Sequence, residues 1–171
     1  MTDRNPSLSI SIRQLALDGV FTAVLTVLGM IRLPSVLPGA EFQLSAPYAV
    51  CLASLVGFRR YLGIGICSSM IQFALGSHTI WNVLVAMVFR IVAGLFVELC
   101  PFRKPALILA GPAGTGCARL VLAAIQHLPA LPLLLAALPG MGFTSLCAVT
   151  LEPVFRRILP AGSETVRRNK R

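Results

Sequence analysis

Between residues 14 and 158 the chain is a succession of apolar runs parted by short breaks of proline, glycine or arginine. That pattern constrains the fold more than any motif does. In hydrocarbon every backbone N–H and C=O must be paired within the protein, so such runs cross a membrane as helices. A helix rises about 1.5 Å per residue, and roughly twenty residues span a ~30 Å hydrocarbon core. Charged residues make up 12% of the chain, where a soluble domain carries about 25%. The reading is an all-α integral membrane protein, one domain over residues 1–171.

The runs divide into six spans. A polar segment, 1–11, precedes Arg13, and the first span covers 14–31. A signal peptide is the competing reading of this run, with Arg4 and Arg13 ahead of it. Its length, the poor cleavage site at Pro38-Gly39-Ala40 and the spans that follow argue against that. The second span, 46–58, is short and is stopped by Arg59 and Arg60; the third, 61–76, is also short. A re-entrant hairpin would leave both arginines near mid-membrane at about 2.5–3.5 kcal/mol each, so two crossings are expected. Residues 79–99 form the fourth span, 106–127 the fifth and 133–158 the sixth, with Pro139-Gly140 an irregularity. A basic tail begins at residue 160.

Charge sets the orientation. Twelve of the fifteen basic residues fall on the side that holds Arg59, Arg60, Arg103, Lys104 and the tail. By the positive-inside rule that side and both termini are cytoplasmic, in a plasma membrane of prokaryotic type. This accounts for the net charge of +9 without nucleic acid, and no aromatic-basic interleaving offers a stacking surface. The bilayer itself is the first partner.

The longest polar break is 32–48, on the outer side, where Pro34, Pro38, Gly39 and Pro47 forbid a continuous helix. It carries Glu41, Gln43 and Ser45 and is read as a lid over a cavity among the later helices. Spacing of four places Asn82, Ala86, Arg90 and Ala93 or Gly94 on one face of helix 4. Thr115, Arg119, Ala123 and Gln126 share a face of helix 5, and Ser69, Gln72, Phe73 and Gly76 one of helix 3. A charge in a span faces a partner or a wet cavity. No acid lies at a matching depth for Arg90 or Arg119, and Glu41 is the one acid on the outer side. An anionic ligand group would balance the excess. Candidate binding residues are Glu41, Gln43, Ser45, Gln72, His78, Trp81, Asn82, Arg90, Arg119 and Gln126. The competing reading makes the arginines bridges between helices, His78 a cap of helix 4 and Trp81 an interface anchor.

Enzymatic signatures are absent. The glycine-rich stretch 110–120 lacks the lysine that a phosphate-binding loop places on its ligand. No nucleophile elbow or zinc motif occurs. The five cysteines have no CxxC spacing, so neither a metal nor a cofactor is expected. Ala16, Gly19 and Ala23 on helix 1 would permit close contact with another helix.

These residues resemble the substrate-binding S components of energy-coupling factor (ECF) vitamin transporters. RQLALDGVFTAVLTVLG (13–29) is similar to the first helix of that family. PGAEFQLSAPYAVCLASLVGFRR (38–60) and WNVLVAMVFRIVAGLF (81–96) are similar to a subgroup that includes the Gx transporters. The resemblance implies a small water-soluble nutrient bound near the outer side under the lid. It also implies docking of helix 1 on a membrane coupling subunit driven by two ABC-type ATPases. The family's Ala-x-x-x-Ala docking pattern is present as Gly19-x-x-x-Ala23, with Asp18 as an unusual neighbour. The glycine-rich signatures of the biotin-specific members are not evident. A small helical membrane scaffold without a ligand is the other reading.

Overall fold

A computed structural model describes residues 6–34 and 41–158. Six helices follow one another, joined early by a short ribbon. They are α1 (Pro6–Met30), β1 (Arg32–Pro34), β2 (Glu41–Gln43), α2 (Ser45–Val56), α3 (Phe58–Ala74), α4 (Ile80–Leu99), α5 (Arg103–Gln126) and α6 (Ala130–Ile158). Three of them, Ile80–Leu99, Arg103–Gln126 and Ala130–Arg157, are long and apolar enough to cross a membrane. Large apolar side chains such as Met70, Phe73, Leu95, Leu109, Leu120 and Leu146 face outward. A belt of that size is a surface built for lipid rather than water.

The short α2 lies inside the bundle. It is read as a brief crossing over 46–58, and nine of its twelve residues are buried. It packs against α1, α3, α4, α5 and α6. A helix apolar on all sides suits a protein core as well as lipid, and one enclosed by other helices has no need of membrane length. Tyr48, Leu52 and Leu55 join Phe21 and Leu25 of α1 and Tyr61 and Ile64 of α3 in one cluster. Val50 and Cys51 face Ala93, Leu107, Ala110 and Ala148 in a second.

Several boundaries differ from those read in the sequence. α1 begins at Pro6, so residues 6–11 of the polar segment are already helical. Pro47 lies within the first turn of α2 and not in the preceding loop. A first-turn proline lacks only an N–H that has no helical acceptor there. Arg103 to Pro105 likewise open α5. In the lid region β1 and β2 pair antiparallel, Arg32 opposite Gln43 and Pro34 opposite Glu41. Residues 35–40 and the tail from 160 lie outside the described residues, as do the side chains of Glu41 and Gln43.

Gly57, not the arginine pair, ends α2. Its φ of 81° and ψ of 162° belong to a region that only glycine enters without strain. Arg59 and Arg60 then sit in the first turn of α3. Gly57→Ala is expected to destabilise the protein by about 1–3 kcal/mol. Thermal melts of the detergent-purified variant would check this, and an unchanged melting temperature would contradict it.

Polar contacts fix α1 at its middle and near its C-terminal end. Arg60 donates to Asp18 at 2.6 Å. Near the ribbon, the Gln72 amide donates to the Thr26 carbonyl at 3.2 Å and to Ser68 Oγ at 3.2 Å. At the opposite end of the bundle Glu152 accepts from Arg103 at 2.6 Å and from Arg156 at 2.8 Å, tying the start of α5 to the end of α6.

Candidate functional site

α4 supplies the floor of the site. Thr79 caps it, its side chain accepting from the Asn82 backbone N–H. The residues that follow at helical spacing, Asn82, Ala86 and Arg90, with Val85 and Phe89 beside them, line a cavity of about 390 Å³. That volume suits a small organic molecule. α5 contributes Thr115, Ala118, Arg119, Leu122 and Gln126, and α6 contributes Ala136, Ala137, Gly140 and Thr144. Ser45, Ala46 and Ala49 from α2, Leu25 from α1, and His78 and Trp81 at the end of the bundle complete the lining. Small residues make room. Gly114, for example, brings α5 so close to α4 that a Cβ there would lie 2.8 Å from the Phe89 ring.

Two arginines meet this space from different helices. Arg90 is 5% exposed, and one of its terminal nitrogens donates to Ser69 Oγ on α3. A guanidinium has five N–H donors, so most remain after that bond. Arg119 is half-buried and, among the described residues, makes no hydrogen bond or ion pair. None of the described lining residues is acidic. Asp18 and Glu152 are held by Arg60, Arg103 and Arg156, as described above. A desolvated positive charge without a counter-ion attracts an anion strongly, above all one able to accept bidentate hydrogen bonds.

Of the ten candidate binding residues, Ser45, His78, Trp81, Asn82, Arg90, Arg119 and Gln126 come together here. Gln72 does not. Its amide is taken up by α1, and a Cβ on Gly29 would collide with it. The helix 3 face expected from spacing is in fact divided, with Ser69 toward Arg90, Gln72 toward α1 and Phe73 outward. Ala123 is buried outside the cavity. The cap of α4 is Thr79 and not His78. Glu41 and Gln43 fall outside the described side chains.

The contribution of α6 is absent from the sequence reading. Its signal was available: Ala136, Gly140 and Thr144 recur every four residues, a single helix face. The Pro139-Gly140 pair is read as an irregularity within the sixth span, and α6 runs through it. Among the described residues no cluster of metal-ligating side chains occurs.

Together these features define a helical membrane protein with a small, positively charged internal cavity. No protein-family model matches the chain. It is 43% identical over 144 residues to Protein BioX of Lysinibacillus sphaericus, an alignment covering 84% of this chain and 85% of the relative. The chain belongs to the BioX family.

Proposed function

We propose that this protein is the membrane-embedded substrate-capture subunit of an ECF-type importer, and that it binds a small water-soluble nutrient carrying an anionic group. The carrying observation is the pair Arg90 and Arg119 lining one cavity without a described carboxylate. The resemblance of 13–29, 38–60 and 81–96 to S components supports the same reading. The subunit hydrolyses nothing itself; a membrane coupling subunit and two ABC-type ATPases drive uptake. The relative's name, Protein BioX, makes biotin or a biotin-related acid the first ligand to try. Such a molecule pairs a carboxylate with a mostly apolar body, which suits arginines set among Val85, Phe89 and Leu122.

The scaffold reading draws on the Arg90–Ser69 bond, which links α4 to α3. That bond uses a small part of the guanidinium and leaves Arg119 unexplained. A thermal-shift screen of the purified chain separates the two. Biotin and other small carboxylates are each tested beside the neutral amide. A ligand at a hundred times its Kd stabilises by about 2.7 kcal/mol. The capture reading expects a shift for an acid and none for its amide. Identical curves across the whole set would favour a scaffold.

The orientation proposed has six crossings with both ends of the bundle's chain in the cytoplasm, the basic end inward and the ribbon end outward. After replacement of the native cysteines, a cysteine at position 104 should react only from the cytoplasmic side. One at position 129 should react from outside. Reversal of the two would overturn the orientation.

A further inference from the structure

One face of α3 is made by Tyr61, Gly65 and Ser69, four residues apart. All three are buried. Arg90 lies across it. A Cβ on Gly65 would stand 2.5 Å from Arg90 Cδ and 2.9 Å from Nε, so the side chain passes where an alanine methyl would be. Its terminal nitrogen then reaches the hydroxyl of Ser69, itself 2% exposed. The neighbouring face of α3, with Ser68 and Gln72, is turned to α1 instead. Neither Gly65 nor Ser69 lines the cavity.

We propose that Gly65 and Ser69 are positioning residues for the anion site: Gly65 provides the groove for the Arg90 stem, and Ser69 fixes the rotation of its guanidinium. This rests on the capture reading above and adds the feature that orients its main charge. An arginine stem is long and has many rotamers, and fixing it in advance strengthens binding by removing an ordering step. A planar fork helps only when its plane is set. Alanine at position 65 displaces the stem, and alanine at position 69 releases the fork, without removing any charge.

The test reads Arg90 directly. Arginine side-chain N–H resonances of the full-length chain in nanodiscs are recorded by NMR, with the Arg90 signal assigned by its loss in Arg90→Lys. Ser69→Ala and Gly65→Ala should each shift and broaden that signal. Ser69→Thr, which keeps the hydroxyl, should retain it, and melting temperatures should stay within a few degrees of wild type. An unmoved Arg90 signal in both alanine variants would overturn the proposal. So would a melting temperature that collapses in both, since that marks a purely structural contact. With biotin as probe, Ser69→Ala should bind about tenfold more weakly and should add nothing in an Arg90→Gln background. Absence of biotin binding by wild type would count against the ligand choice alone, because the Arg90 signal decides the positioning role without any ligand.

Discussion

Replacing Arg90 with glutamine is expected to weaken binding of an anionic ligand about ten- to hundredfold, the loss of one charged hydrogen-bonding contact of roughly 1.5–3 kcal/mol. Arg90 is nearly fully buried in the bundle, and water does not compete well for its donors. A charge contact is stronger there than at a solvated surface. Arg90→Lys keeps the charge but loses the fork, and a smaller drop is expected from it. Arg119→Gln should weaken binding too, and by less, because Arg119 is only half-buried. Titration calorimetry and a thermal melt on the same preparations separate ligand contact from helix bridging. Normal affinity in a destabilised Arg90→Gln protein would remove this arginine from the site.

Leucine at Gly19 is expected to abolish uptake in cells while leaving ligand affinity of the isolated subunit unchanged. Ala16, Gly19 and Ala23 are all exposed on α1. A Cβ added at Gly19 meets nothing within 4 Å, so a larger side chain disturbs no packing among the described residues. It would obstruct only something that comes to that face, and small residues in a membrane helix are where close helix contact forms. Asp18 does not stand in the way, since Arg60 draws its carboxylate toward α3. Uptake and affinity falling together would place this surface in the subunit's own fold. Uptake at the wild-type level would remove it from docking altogether.

The architecture was legible because hydrophobicity and helix breakers act locally. Six apolar runs became six helices, and boundaries moved where a local rule was subtler than composition. Gly57 breaks the chain through its φ, which outweighs the charges of Arg59 and Arg60. Pro47 and Pro105 fit first turns, where a missing N–H does no harm. The enclosure of α2 was not legible, since an apolar run reads alike whether lipid or protein surrounds it.

In the cavity lining, spacing of four and charge in an apolar run had already grouped Arg90, Arg119 and Asn82. The same reasoning placed Gln72 there as well. The structure turns Gln72 to α1 instead, and a glutamine serving α1 and one lining a cavity carry the same sequence signal. Which polar face of α3 met which neighbour depended on tertiary packing. Spacing had placed Ser69 on a polar face of helix 3, but the role proposed for Gly65 and Ser69 depends on Arg90 packing against them and is not legible in the sequence.

Native mass spectrometry of the purified protein, wild type beside the Arg90→Gln/Arg119→Gln double variant, tests the central claim most directly. An anionic nutrient held between the two arginines predicts a wild-type species with a small-molecule mass that is lost on denaturation, and a double variant without it. The same retained mass on both proteins, or apo protein alone even after incubation with the acids of the thermal-shift screen, would contradict the claim.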